Sequence, residues 1–192
     1  MIYSKLVGGV ATALIILTAG STFTLACAGG FMQALLFQQY PKAKVTSIAI
    51  SKARMRGTLS GDKWNKISGK SLHAWRAERT MVTINTLQDR FNSAVRPSTA
   101  LTDTNVLLLN EFTWLRITTG PNRISVSRRP YSLRMRGLTV FTSRRVLDNV
   151  FDGAITWQQA INQGLIASQC KDNCSGQRFG LLGLAMAQKR AL

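Results

Sequence analysis

Acidic side chains and histidine are scarce in this chain of 192 residues. Only 8 Asp and Glu stand against 25 Lys and Arg, and there is one histidine, His73. General acid–base chemistry would therefore rest on His73, Asp89 or Glu111, and nothing in the sequence groups those three. There is no Walker A loop, no G-x-G-x-x-G, no H-E-x-x-H and no G-x-S-x-G. The signatures of nucleotide-dependent, zincin-type and serine-hydrolase chemistry are thus missing. Cysteine is almost as rare, at 3 residues, and one of them, Cys27, lies in an apolar run. Cys170, Cys174 and the distant His73 are too few for a zinc site, which wants four ligands. No metal, cofactor or catalytic residue is expected.

What is present is a core and a one-sided charge. Apolar residues make up 45% of the chain, which excludes wholesale disorder. The net charge of +17 predicts attraction to an anionic surface: phospholipid headgroups, an acidic protein partner or nucleic acid. Nucleic acid is the weakest of the three, because no zinc-finger pattern or aromatic-rich RNA-binding motif accompanies the charge.

The basic residues avoid the N-terminus. Between Lys5 and Lys42 the only ionisable side chains are Cys27 and Tyr40. The apolar run from Leu6 to Phe37 exceeds the roughly 20 residues that a membrane-spanning helix needs. Two main readings fit residues 1–38. In one, Lys5 opens a cleavable signal peptide ending at Ala26-Cys27-Ala28; in the other, the whole run is an uncleaved anchor. The apolar character persists through "FMQALLF", past the cleavage candidate, and favours the anchor. A buried core helix is the plain alternative. A lipoprotein reading at Cys27 is disfavoured by the preceding "TLA".

Residues 39–61 form a basic linker, expected as a strand or extended tether, with Val45, Ile48 and Ile50 only loosely periodic. It carries Lys42, Lys44, Lys52, Arg54 and Arg56 and no acid until Asp62. Beside a membrane, each such residue adds about 1 kcal/mol of attraction to anionic headgroups. By the positive-inside rule these charges keep the body in the cytoplasm. The cysteines argue the other way. Cys170 and Cys174, an even pair in a short polar loop, suit a disulfide in an oxidising, extracytoplasmic compartment such as the periplasm. The export reading is the one adopted.

Residues 62–192 read as one α+β domain. Between Ser71 and Ala94 there is no glycine or proline, and Ile84, Leu87 and Phe91 fall at helical spacing. Pro97 closes that helix. From "VLLLN" onward the period becomes two, punctuated by "TGPN" and "RRPY". This predicts an antiparallel sheet of about four to five strands covered by helices. Arg116, Arg134 and Arg136 would form a basic stripe on one face, open to an anionic partner or headgroup. Ser143 caps a helix "RRVLDNVF" that ends at Asp152-Gly153; Thr156 caps a short second helix that ends at Gly164. "LIA" is read as a last strand, "SQCKDNCSG" as a loop, and "RFGLLGLAMAQKR" as a C-terminal helix.

The order of strands, then "FTSRRVLDNVFDGAITWQQAINQGLI", then an apolar helix resembles the sterol-carrier-like lipid-binding fold, which also closes many alkyl sulfatases. Gly153, Ala160 and Gly164, with Leu147 and Ile161 as apolar partners, occupy the places of that family's pattern. The resemblance covers roughly residues 107–192. A Gly-Asp turn usually follows the edge strand in that family, whereas "SQCKDNCSG" stands here. The resemblance implies a non-catalytic domain with an apolar cavity between sheet and helices. Its candidate lining residues are Val146, Val150, Phe151, Trp157, Ile161, Phe179, Leu182 and Met186. Burying an acyl chain there is worth about 0.8 kcal/mol per CH₂. The competing expectation is an accessory subunit of a membrane enzyme complex that docks an acidic partner through its basic surface.

Overall fold

The computed structural model describes residues 24–59, 72–94, 104–120, 122–130, 136–171 and 182–183. The chain divides into two units, Met1–Gln39 and Tyr40–Leu192. In the first, the described part is one helix, α1 (Thr24–Gln39), of 16 residues. No helix among the described residues is long and apolar enough to cross a membrane. The rest of the apolar run, up to residue 23, lies outside the described residues.

The second unit begins with a correction. The segment expected as a strand or tether is a helix, α2 (Pro41–Met55). Pro41 sits in its first turn, where a missing N–H costs nothing. Ala43, Thr46 and Ile50 are buried at intervals of three and four, the helical period. Val45 and Ile48, the residues that hid this period, are on the opposite, exposed side. The helix closes at Gly57, whose φ of 68° gives the left-handed turn.

A long helix, α3 (Leu72–Ala94), fills the glycine- and proline-free segment as expected. Five strands follow: β1 (Thr104–Leu108), β2 (Thr113–Thr119), β3 (Ile124–Arg129), β4 (Gly137–Thr142) and, after the helices, β5 (Ala167–Lys171). Their order is β3-β2-β1-β4-β5. The sheet is mixed, not antiparallel: β1 pairs antiparallel with β2 but parallel with β4. The hairpins leave one edge of β1 free, and β4 takes it. Strand β4 is buried along its whole length, so it shows no alternation. The alternation expected across Leu133 to Arg136 falls mostly outside the described residues; Arg136 itself is an exposed loop residue preceding β4. Strand β5 is also displaced from the expected "LIA": it runs through "ASQCK", which puts Cys170 in a strand, opposite Leu138, and not in a loop.

Between β4 and β5 lie α4 (Arg144–Phe151) and α5 (Trp157–Asn162), with the expected caps. The Ser143 hydroxyl accepts from the Val146 amide. Thr156 and Gln159 form a capping box, each side chain accepting from the other's backbone N–H. Gly153 and Gly164, with φ of 75° and 70°, end the two helices. The sheet's core residues include Leu107, Leu115, Ile117, Ile124, Val140 and Phe141, all buried. Helix α2 packs against β4 and β5, and α3 against β3.

Candidate functional site

The hydroxyl cap at Ser143 fixes where α4 starts, and so which of its residues face inward. Val146, Leu147 and Val150 are buried, and Phe151 at its end is half-buried. The Arg90 guanidinium of α3 lies 4.7 Å from the centroid of the Phe151 ring and donates to the Phe151 carbonyl at 2.7 Å. The capping box sets α5 the same way: Trp157 and Ala160 are buried and Ile161 is half-buried. Leu182 is buried too. Beside it, a Cβ built on Gly183 would come within 3.1 Å of Trp157 Cδ1 and 3.2 Å of its Nε1. The backbone at Gly183 therefore rests directly on the indole. Of the eight expected lining residues, Val146, Val150, Trp157 and Leu182 are buried and Phe151 and Ile161 half-buried. Phe179 and Met186 lie outside the described residues, as do Cys174 and Arg134.

The basic residues of α2 all face outward. Lys42, Lys44, Lys52 and Arg54 are exposed, as is Arg56 just beyond the helix. Between them run Val45, Ile48 and Met55, which are 65%, 48% and 80% exposed. Lys42 and Lys44 stand near the helix N-terminus, where the dipole disfavours positive charge. Lys52 and Arg54 stand in the last turn, where it is favoured. The expected Arg116–Arg134–Arg136 stripe is met only in part. Arg116 is half-buried on β2, and Arg136 is exposed with its carbonyl accepting from the Asn105 amide at 3.0 Å.

One ionic cluster had no signal in the sequence, because its members lie far apart along the chain. Arg144 Nη2 meets Glu111 Oε1 at 2.8 Å, with both side chains largely buried. Arg79 meets Asp148 Oδ2 at 3.3 Å. Both guanidiniums also lie over the Trp75 ring, at 4.9 Å for Arg79 and 5.3 Å for Arg144. The cluster ties α3, the β1–β2 turn and α4 together. It also occupies Glu111 and Asp148 with cations, a poor arrangement for a proton acceptor. His73 falls in the first turn of α3 and Asp89 on its exposed side. Among the described residues no three His, Cys, Asp or Glu gather as a metal ion would require.

No family model matches the chain, and no curated protein matches it. Among solved structures, the stereoselective inverting sec-alkylsulfatase Pisa1 from Pseudomonas sp. is similar at 15% identity and a TM-score of 0.35. That likeness covers 50% of this chain and 14% of the sulfatase. A double mutant of the same enzyme is similar at 18% identity and a TM-score of 0.33, over 42% of this chain and 12% of that one. The ubiquinone synthesis protein UbiJ-SCP2 is similar at 13% identity and a TM-score of 0.36, over 56% of this chain and 95% of its own length. Each likeness covers about half of this chain, and the sulfatase likenesses span only a small part of the sulfatase.

Proposed function

We propose that this chain is a non-catalytic domain that holds a lipid or another apolar ligand at a membrane. The observation that carries the reading is the apolar layer of α4, α5 and Leu182–Gly183. Val146, Val150, Trp157 and Leu182 face inward there, and the layer closes on Trp157 with a glycine instead of a side chain. Such a surface offers dispersion contacts and no charge, which suits an acyl or isoprenoid chain. In this reading the apolar run from Leu6 to Phe37 anchors the chain, and the outward lysines and arginines of α2 meet anionic headgroups. The two lysines at the α2 N-terminus oppose the helix dipole, so their benefit lies outside the fold.

Native mass spectrometry of the purified chain, before and after lipid extraction, tests the reading. An apolar ligand that co-purifies and is lost on extraction supports it. No such ligand, together with a stoichiometric acidic protein, would replace it with the reading as a docking subunit of a membrane complex.

We place the body on the extracytoplasmic side, on the strength of the Cys170 and Cys174 pair. Cys170 is exposed on β5. Alkylation of freshly isolated protein should label both residues only after reduction. Prompt labelling without reductant would put the body in the cytoplasm.

A further inference from the structure

Strands β1 and β2 are joined by the turn from Leu109 to Phe112, since Leu108 pairs with Thr113. Its last residue stands in an unusual conformation. Phe112 has a φ of 48°, and among the described residues it is the only non-glycine with a positive φ. An L side chain in this region is disfavoured by a factor of roughly 5–30. Turns normally place glycine or asparagine at such a position. Here the chain carries a large apolar ring, and the ring is not enclosed. Phe112 is 42% exposed, whereas Trp114, two residues on, is 1% exposed.

The residues on both sides keep the backbone from relaxing. The Leu109 amide donates to the Thr142 carbonyl at 2.8 Å, and the Glu111 amide to the Leu108 carbonyl at 3.1 Å. The Glu111 carboxylate meets Arg144 at 2.8 Å, and the Thr113 hydroxyl donates to the Glu111 carbonyl at 3.3 Å. A strained residue persists only where its surroundings fix it in this way, and such residues cluster at functional contacts.

The neighbours of this tip set the chemistry of the contact. Arg129 stands opposite Trp114 and Arg128 opposite Leu115, so the end of β3 adjoins the start of β2. Arg128 is exposed, Arg129 half-buried, and Pro130 exposed after them. Arg129 Nη1 donates to a neutral group, Asn105 Oδ1, at 3.5 Å. Strands β1, β2 and β3 contain no acid, and the acid of the turn, Glu111, is held by Arg144. An apolar ring flanked by cations matches a surface that is anionic outside and apolar beneath.

We propose that Phe112 inserts into the interfacial layer of an anionic bilayer, with Arg128 and Arg129 on headgroup phosphates beside it. The choice of occupant rests on the reading of this chain as a membrane-bound domain. The contact needs no ligand in the apolar layer, and it is a different surface from the basic side of α2.

The test replaces Phe112 by p-benzoylphenylalanine in the full chain, reconstituted in vesicles of phosphatidylcholine and phosphatidylserine. Asn85, exposed on α3, is replaced by the same photoreactive group in a control protein. After illumination, adducts are identified by mass spectrometry. Lipid adducts should form at position 112 and exceed those at position 85 several-fold. Their yield should fall on the order of fivefold in phosphatidylcholine alone and in R128Q/R129Q, the scale of about one lost headgroup contact. Should that pair not fold, R128Q removes the exposed cation and should lower the yield by itself. Equal yields at the two positions, or a yield at 112 that ignores both phosphatidylserine and Arg128, overturns the proposal. In native membranes, a protein adduct at 112 in place of lipid would overturn it too, giving the tip to a partner's apolar socket. Phe112→Asn is an independent check, because asparagine suits the left-handed backbone. Its unfolding midpoint in detergent should hold or rise; a lowered midpoint would show that the ring fills a place in the fold and would sink the proposal. An apolar ligand held by α4 and α5 should still co-purify with F112N, so the two readings fail separately.

Discussion

At Gly183 the side chain is a hydrogen atom because Trp157 occupies the space a methyl group would need. A Cβ there would stand 3.1 Å from Cδ1 of the indole, and Trp157 is itself buried with little room to retreat. Either the ring leaves its rotamer or the backbone at Gly183 shifts. Overpacking of this kind costs about 1–3 kcal/mol. We expect Gly183→Ala to destabilise the second unit by about 1 kcal/mol and to shift the Trp157 fluorescence. Denaturant unfolding followed by fluorescence checks both. An unchanged midpoint would mean that Gly183 is not seated on the indole, and the apolar layer would lose its closing contact. The glycine spacing in "RFGLLGLAMAQKR" is visible in the sequence, but its meeting with Trp157 is not, because that contact is set by where α5 places the ring.

At the scale of elements, the most exposed weakness of a five-stranded open sheet is its edge. Helix α3 guards one edge by imitating a strand. Asn92 accepts from the Ile124 amide at 2.7 Å and donates to the Ile124 carbonyl at 3.1 Å. Gln88 accepts from the Val126 amide at 3.3 Å. These are the groups a sixth strand would use, so β3 presents less of a template for association. Asn92→Ala should cost about 1–2 kcal/mol, the typical effect of unpairing part-buried backbone groups. It should also expose the Ile124 amide to hydrogen exchange, which measures the edge directly. Retained protection at Ile124 would show that α3 does not seal it. The same elements show where sequence reasoning succeeds. Bounds set by local chemistry were legible: α3 from its freedom from glycine and proline, α4 and α5 from Ser143, Thr156, Gly153 and Gly164. Strand order was not, because the place of β4 beside β1 depends on which edge the hairpins leave free. Helix α2 was obscured for a different reason. Its exposed Val45 and Ile48 are as apolar as its buried Ile50, so a helical period with two apolar sides reads as no period at all.

That two-sided helix matters most for the molecule as a whole. A net charge of +17 attracts any anionic surface, but only a surface that is also apolar just beneath its charges would reward exposing Val45, Ile48 and Met55 among Lys44, Lys52 and Arg56. A bilayer containing anionic lipid has that profile. Tyr40–Leu192 forms a compact unit of its own, which allows α2 to be tested without the apolar run. Residues 40–192 should sediment with vesicles containing phosphatidylserine at 0.1 M salt and stay in solution with purely zwitterionic vesicles. Each basic residue near the surface contributes about 1 kcal/mol, so the five on and beside α2 supply enough attraction to be seen. Raising the salt to about 1 M shrinks the Debye length from about 10 Å to about 3 Å and should release the charge-driven part of the binding. Val45→Glu and Ile48→Glu place an acid at the centre of the same face without touching the core, since both residues point outward. Each should weaken binding by about tenfold, a loss of attraction plus a lost apolar contact. Equal binding to zwitterionic vesicles, or binding that ignores salt, would remove the electrostatic argument. A soluble acidic protein that competes for residues 40–192, in a salt-sensitive way and through the same two positions, would transfer this face from the bilayer to a partner.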